Sequence, residues 1–268
     1  GESQTNVWHV AVENVRSALI DMVENKRIVA TIEARMTSSR LPGKVLMEAC
    51  GKPMLQHMIE RLQRVPSLDG IIVATTGNGT DAAIVELAES MGVGFFRGSE
   101  DDVLLRVLGA AREHDIDVIV EMTGDCPLID PVLVEDCIRG YQDAEVDYVS
   151  NVLERTYPRG MDTQVFATEI LADVANRTDD PEDHEHVSIY IYRHPEIYSL
   201  KNMPGPPELT DPGLGLTLDA PEDFELIRRI FELLYPDNPD FRLSDILSLL
   251  KNNSGLAGLN ADVRREHA

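Results

Sequence analysis

Residues 28–44 read IVATIEARMTSSRLPGK, and this stretch decides the fold that we predict. Its first five residues form an apolar run that is typical of a buried β-strand. The loop that follows contains three cations, Arg35, Arg40 and Lys44, and no acidic residue between positions 34 and 44. In a loop with glycine and serine, backbone N–H groups can approach phosphate groups closely, and cations offset their charge. The stretch therefore predicts a strand followed by a phosphate-binding loop, although a solvated basic turn is the alternative.

The rest of the chain alternates short apolar runs with amphipathic segments of helical spacing. The further strands that we predict cover residues 70–75, 93–96, 117–122, 148–150, 198–203 and 216–218. The predicted helices cover residues 53–62, 81–91, 101–114, 131–141, 169–176, 186–193, 221–234 and 243–250, and Asp81 is expected to cap the second of them. This alternation is typical of an α/β protein with a mostly parallel, Rossmann-like sheet and helices on both faces. Ligands of such sheets bind at the carboxyl ends of the strands.

We expect one main domain with short additions at both ends. The apolar spacing of residues 7–25 predicts a helical N-terminal extension over residues 1–27, which leaves 28–250 as the domain and 251–268 as a C-terminal tail. Residues 151–166 read NVLERTYPRGMDTQVF and interrupt the alternation with Pro158 and Gly160. This segment is therefore predicted to leave the nucleotide half of the domain.

Charge and composition limit the function classes. The chain has 268 residues, a formal net charge of −23 and a pI of about 4.5, which argues against general binding of nucleic acid or of an anionic membrane. A small anionic substrate is compatible with this charge, because a local basic loop can override the mean field. Three cysteines without a CxxC pair argue against a structural zinc site or disulfide. Without an 18-residue apolar run or a signal-peptide pattern, we expect a cytoplasmic protein.

Two aspartates add a possible metal site to the basic loop. Asp125 and Asp219 each end a predicted strand, and a proline follows each of them two residues later. Magnesium is held by one or two carboxylates together with phosphate oxygens. Either aspartate alone could simply cap a helix, but both at one edge with the basic loop predict metal-assisted phosphate chemistry. The loop lacks the G-x-x-x-x-G-K-[ST] and G-x-G-x-x-G spacings, which argues against a P-loop kinase and a dehydrogenase.

Several motifs resemble those of a known family. The segments at residues 34–44 and 51–54 resemble the signature of the CMP-sugar-acid synthetases, which include the 3-deoxy-manno-octulosonate and acylneuraminate cytidylyltransferases. Later segments resemble the spore-coat polysaccharide branch of that family. They are GSEDDVLLR at 98–106, TGDCPLID at 123–130, RTYPRG at 155–160, EHV at 185–187 and LTLDAPED at 216–223. The resemblance spans residues 28–250.

The resemblance implies a nucleotide-diphospho-sugar transferase fold and transfer of CMP from CTP to a sugar acid, with Mg²⁺ as cofactor and a homodimer formed through residues 151–166. Arg35, Arg40 and Lys44 would bind the triphosphate, and Asp125 and Asp219 would hold Mg²⁺. Other residues would surround the nucleotide. These are Ala34, Ser38, Ser39, Ala74, Thr75, Gly98, Ser99, Arg106 and Gly124. Two alternatives stay open: a phosphonate or phosphorylated acceptor, and a nucleotide-binding subunit without catalysis.

Four positions depart from the pattern of that branch. Thr37 stands where glycine is common, and Glu121, His184 and Gly215 stand where arginine is common. The missing cations predict an acceptor with less negative charge, or one that is met by Arg155 and Arg159.

Overall fold

The structure, a computed structural model, describes residues 26–263, so the predicted helix at residues 7–25 lies outside the described residues. A seven-stranded sheet forms the centre of this part of the chain. In chain order its strands are β1 (Ile28–Glu33), β4 (Gly70–Thr76), β5 (Gly94–Gly98), β6 (Val118–Thr123), β7 (Tyr148–Ser150), β8 (Gln164–Ala167) and β9 (Leu200–Asn202). Two short strands, β2 (Glu48–Ala49) and β3 (Lys52–Pro53), form a separate hairpin.

The strand order is β5-β4-β1-β6-β8-β7-β9. Strands β5, β4, β1 and β6 are mutually parallel, whereas β8 runs antiparallel between β6 and β7. Glu33, the last residue of β1, is in register with Ala74 of β4 and Thr123 of β6. The carboxyl ends of three neighbouring strands therefore meet at one edge. Gln164, Val165 and Phe166, the end of the predicted excursion, lie in β8 and so belong to the main sheet.

Helices cover both faces of the sheet, which confirms the predicted fold class. The α-helices are α1 (Met54–Leu62), α2 (Ala82–Ser90), α3 (Val103–Glu113), α4 (Pro131–Gln142), α5 (Thr168–Arg177), α6 (Pro181–Glu185), α7 (Ile189–Arg193), α8 (Pro221–Leu234), α9 (Leu243–Asn252) and α10 (Ser254–Ala257). Short 3-10 helices cover Lys44–Leu46, Gly79–Asp81 and Pro207–Leu209. Among the helices between residues 26 and 263, none is long and apolar enough to cross a membrane.

Apolar side chains alternate between the two faces of β1 and form two cores. Ala30 and Ile32 pack with α1 on one face, whereas Val29 packs with α3 and α5 on the other. A third apolar cluster joins α8 and α9 to the hairpin and to residues 216–218. Burial of these faces supplies the main stabilising free energy of the fold.

Three local predictions are wrong. Residues 216–218 form no strand, because the N–H groups of Leu216 and Leu218 donate to the loop carbonyls of Arg159 and Asp125, each at 2.8 Å. Leu216 and Leu218 are nevertheless fully buried, which explains their strand-like alternation. Asp81 does not cap α2, since its carboxylate turns toward the loop after β1. The helix predicted at residues 186–193 begins only at Ile189, because Val187 adopts a left-handed φ of 43°.

Candidate active site

The basic loop after β1 is folded back on itself. Gly43 adopts a left-handed φ of 72°, which glycine reaches without steric cost, and its N–H donates to the carbonyl oxygen of Met36 at 2.9 Å. Lys44 follows directly and begins a 3-10 helix. The turn therefore reverses the chain so that Arg40 and Lys44 both lie over the carboxyl end of the sheet.

Asp81 anchors this loop to the end of β4. One carboxylate oxygen accepts the Met36 N–H at 2.9 Å. The other accepts hydrogen bonds from the Thr75 hydroxyl at 3.0 Å and from the Thr76 hydroxyl at 2.6 Å. Burial alone would raise the pKa of Asp81, but these hydrogen bonds outweigh it and hold the pKa below its ordinary value of 3.8. Asp81 thus stabilises the loop in its ionised form.

Replacing Asp81 with Asn is expected to lower the free energy of unfolding by about 2 kcal/mol at neutral pH. The NH2 group of asparagine would face a group that now donates a hydrogen bond to the carboxylate. Since the folded-state pKa is depressed, this contribution is complete above pH 3.8 and is lost as the pH falls through the folded-state pKa. Urea unfolding of both proteins at several pH values measures the difference. Replacement of the exposed Asp101 with Asn is the matched control. A difference that grows on acidification would contradict the assignment.

Four charged side chains meet at the carboxyl edge of the sheet. The Lys44 ammonium lies 3.2 Å from Asp219 Oδ1 and 3.6 Å from Asp125 Oδ2. Arg40 Nη2 lies 3.3 Å from the same Asp219 oxygen. The two aspartates are 94 residues apart in the chain, yet one ammonium group contacts both carboxylates. The structure thus brings together Arg40, Lys44, Asp125 and Asp219 as the sequence predicts.

Backbone hydrogen bonds hold the two aspartates side by side. The Leu218 N–H donates to the Asp125 carbonyl oxygen at 2.8 Å, which places Asp219 next to the end of β6. Asp223 Oδ2 accepts the N–H groups of Asp219 at 3.2 Å and Ala220 at 3.0 Å. The Asn260 amide donates to Asp223 Oδ1 at 2.7 Å and to a backbone carbonyl oxygen at 2.9 Å.

Sequence reasoning missed the positioning roles of Asp223 and Asn260. Asp223 has a local signal, because an acid at the third position of a proline-started helix is typical of a capping box. Asn260 has none, since it lies in the segment predicted to be a C-terminal tail. Only the folded chain brings it to Asp223.

The electrostatics of Asp219 suit a charged ligand. Burial would raise its pKa, but Lys44, the Thr217 hydroxyl and Arg40 together lower the pKa below its ordinary value. The carboxylate therefore stays ionised at neutral pH, as a metal ligand must be. The donor set of two carboxylates fits Mg²⁺, which takes one or two protein carboxylates and completes its shell with phosphate oxygens and water. Within residues 26–263, no group of three or more His, Cys, Asp or Glu side chains could hold a metal alone.

Arg35 lies on the other side of the loop. Its guanidinium is 3.6 Å from Glu100 Oε1, and the Thr37 hydroxyl donates to the same oxygen. The Asn78 amide donates to Glu100 Oε2 at 2.6 Å. Glu100 therefore ties the loop after β1 to the loops after β4 and β5, which gives the unusual Thr37 a structural partner.

The residues expected around the nucleotide fall into two groups. Ser38, Ser39, Gly98 and Ser99 are partly or fully exposed at the carboxyl edge, where Gly98 ends β5 and the three serines lie on loops. Ala34, Ala74, Thr75, Arg106 and Gly124 are buried beneath that edge. The Thr75 hydroxyl faces Asp81 rather than the edge. A Cβ atom at Gly124 would lie 2.8 Å from the Glu33 carbonyl oxygen, so a side chain there would separate β1 from the Asp125 loop.

The positions where arginine is common in the resembling branch have distinct surroundings here. His184 bridges Asp102 Oδ1 at 2.9 Å and the Thr178 carbonyl oxygen at 3.0 Å, and Gly215 accepts the Asn260 hydrogen bond through its carbonyl group. Glu121 is buried in β6. Arg155, expected as a compensating cation, forms a bidentate ion pair with Asp162, with N–O distances of 2.6 and 2.8 Å. Its charge is therefore already matched within the protein.

This parallel sheet, with a basic loop and two aspartates at its carboxyl edge, defines an α/β fold of the nucleotidyltransferase type. The sequence model of the cytidylyltransferase family matches residues 29–243. The chain therefore belongs to the cytidylyltransferase family, whose members are enzymes, as its motifs predict.

Three similar proteins accompany the family match. An uncharacterized protein of Methanocaldococcus jannaschii is 35% identical over 243 residues, which cover 90% of this chain and 97% of that protein. The spore coat polysaccharide biosynthesis protein SpsF of Bacillus subtilis is 32% identical over 236 residues, covering 86% and 96% respectively. The solved structure of a cytidylyltransferase from Leptospira borgpetersenii serovar Hardjo-bovis has a TM-score of 0.82 and 30% identity, and covers 91% of this chain and 100% of its own.

Proposed function

We propose that this protein transfers CMP from CTP to a hydroxyl group of a sugar acid, with Mg²⁺ as cofactor and release of pyrophosphate. The observation that supports this most directly is the contact of one Lys44 ammonium with both Asp125 and Asp219, with Arg40 beside it. Cations and metal-binding carboxylates at one strand edge are what a metal–triphosphate substrate requires. The resemblance to sugar-acid cytidylyltransferases supplies the acceptor class.

The proposed reaction is an in-line displacement at the α-phosphate of CTP. The acceptor oxygen forms a bond to the α-phosphorus, the bond from that phosphorus to the bridging oxygen breaks, and pyrophosphate leaves with the electron pair. The proton of the acceptor hydroxyl passes to solvent water. Positioning and charge neutralisation lower the barrier of such a step more than a protein nucleophile would.

Each charged side chain has a defined part in this proposal. Arg35, Arg40 and Lys44 bind the triphosphate and offset its charge. Asp125 and Asp219 would hold Mg²⁺, which when bound neutralises phosphate charge and lowers the pKa of the acceptor hydroxyl. The ion pairs of Arg40 and Lys44 with the two aspartates keep these four side chains in place before the substrate arrives.

Pyrophosphate release from CTP tests the function. We expect release only when Mg²⁺, CTP and a sugar acid such as 3-deoxy-manno-octulosonate are all present. Release with phosphonates or phosphorylated acceptors, but not with sugar acids, would favour the alternative acceptor class. Binding of Mg·CTP without turnover of any acceptor would favour a non-catalytic subunit. Failure to bind any Mg·NTP would defeat the proposal.

The biological setting is part of the same proposal. SpsF acts in spore coat polysaccharide biosynthesis according to its name, and we infer a related role here in surface polysaccharide or glycoconjugate biosynthesis. Cytoplasmic location agrees with CTP as donor and with the free thiols of Cys50, Cys126 and Cys137. A homodimer follows from the resemblance of residues 151–166 to a dimerisation segment, and sedimentation velocity measures it.

A further inference from the structure

A buried polar cluster lies under the carboxyl edge of the sheet, next to the proposed reaction centre. Thr31 of β1 is in register with Glu121 of β6, and Glu33 follows Thr31 by two residues. Because side chains alternate along a strand, these three point to the same face. Arg106 of α3 packs against this face and interacts electrostatically with Glu33.

One buried polar side-chain atom in each residue of this cluster forms no hydrogen bond within the protein. Within residues 26–263, five buried side-chain nitrogen or oxygen atoms form no hydrogen bond, and four belong to this cluster. They are Thr31 Oγ1, Glu33 Oε1, Arg106 Nε and Glu121 Oε2. Thr31, Arg106 and Glu121 are only 0%, 3% and 5% exposed. Buried polar groups in folded proteins nearly always have a partner, so this concentration indicates a ligand-binding site.

The cluster adjoins the reaction centre through Glu33. Glu33 is half-buried at the end of β1, and its carboxyl group interacts electrostatically with Asp125. Its backbone carbonyl oxygen accepts the Gly124 N–H at 2.9 Å, so the cluster and the Asp125 loop are directly joined. Glu33 is therefore the member of the cluster that lies nearest to a small molecule bound at Asp125.

The cluster contains two acidic side chains and one basic side chain. Two carboxylates face one guanidinium, and Arg106 Nη1 already donates to the Ser99 carbonyl oxygen at 2.5 Å. Burial, and then the neighbouring Glu121, raise the pKa of Glu33 well above its ordinary value, although Arg106 lowers it. Burial raises the pKa of Glu121 to about 7, against a hydrogen bond from Ser188. One more positive charge would stabilise both ionised carboxylates.

We propose that Thr31, Glu33, Arg106 and Glu121 form a recognition site for a protonated amine on the acceptor. This inference rests on the proposed function, because it describes the acceptor of that reaction. An ammonium group brings the missing charge and three donors for Glu33, Glu121 and Thr31. A hydroxyl group would bring no charge, and a carboxylate would bring a negative charge beside two acidic side chains. The acceptor is thus an amino sugar acid.

Matched acceptors test the proposal by binding rather than by turnover. The probes are 3-deoxy-manno-octulosonate and analogues in which one hydroxyl, at C4, C5, C7 or C8, is replaced by an amine, the last being 8-amino-3,8-dideoxy-manno-octulosonate. Calorimetry measures their binding to the protein loaded with Mg²⁺ and a non-hydrolysable CTP analogue. We expect at least one amine to bind about 30-fold more tightly than the parent, as a charge-assisted hydrogen bond warrants.

Glu121→Gln removes the charge at nearly constant volume, and we expect it to reduce this amine preference to about threefold or less. Glu33→Gln serves as a second variant at a half-buried position, in case Glu121→Gln unfolds. Glu113→Gln, at the exposed end of α3, is the matched control and keeps the full preference.

Three results would overturn the proposal: no amine binds better than the parent, the preference survives both glutamine variants, or none of the probes binds. Pyrophosphate release is measured in parallel with the same probes. Turnover of 3-deoxy-manno-octulosonate without tighter binding of any amine would contradict only the proposed amine site. Amine preference in binding without any turnover would sink only the proposed reaction.

Discussion

Replacing Asp219 with Asn is expected to lower kcat for CTP consumption about a thousandfold while the fold stays intact. Asparagine has the same shape but no negative charge, so the metal would lose one of its two proposed carboxylate ligands. The backbone at this position is held by Asp223 and by the Leu218 hydrogen bond to Asp125, neither of which depends on the Asp219 side chain. Steady-state kinetics and thermal unfolding of both proteins measure the two effects.

Measurement of CTP binding distinguishes loss of a metal ligand from disruption of the whole active site. Asp219 accepts ion pairs from Lys44 and Arg40, so removing its charge frees both cations for the triphosphate. Without Mg²⁺, CTP should therefore bind to the variant at least as tightly as to the original protein. Asp211→Asn, in the exposed part of the same segment, is the matched control and should change kcat less than about twofold. Full activity of the Asp219 variant would refute the metal assignment.

Replacing Arg61 with Met is expected to lower the free energy of unfolding by about 3–5 kcal/mol, the largest effect on stability that we predict. Arg61 is 2% exposed, and its Nε and Nη2 atoms donate to the carbonyl oxygens of Ile129 at 2.7 Å and Phe241 at 2.8 Å. The guanidinium also lies 4.5 Å from the centre of the Phe241 ring. Burial lowers the pKa of Arg61 to about 10, and Asp130 partly opposes that shift.

The cost arises because methionine fills the space but leaves buried polar groups without a partner. Both carbonyl oxygens lose their donor, and Asp130 loses a nearby cation. Arg64→Met, three residues further along the chain, is the matched control. Arg64 is partly exposed and forms an ion pair with the exposed Asp240 at 2.8 Å, and loss of such a surface pair costs less than about 1 kcal/mol. Urea unfolding measures the free energy of unfolding of both variants. Equal losses would show that the buried hydrogen bonds of Arg61 stabilise the fold no more than a surface ion pair does.

The sequence predicted correctly those features that depend on neighbouring residues, and it failed where the contacts join residues far apart in the chain. Apolar runs such as Ile71 to Ala74 predict buried strands because burial on both sides leaves no alternation. The strand predicted at residues 216–218 was wrong because Leu216 and Leu218 bond to distant loops through the backbone, which no local pattern reveals. The prediction of Asp81 as a helix cap was wrong for a similar reason. Its hydrogen-bond partner Met36 is 45 residues away, and the local sequence does not reveal that contact.

The sequence by itself determined the fold class, the family and the charged residues at the strand ends, because periodicity, turn chemistry and motif spacing are local properties of the chain. Only the tertiary structure decided which of these side chains act together. It joined Lys44 to Asp125 and Asp219, and it brought Asn260 to Asp223. It also placed Glu33 and Glu121 in one buried cluster with Arg106. Those contacts follow from strand register and helix packing, which depend on residues far apart in the sequence.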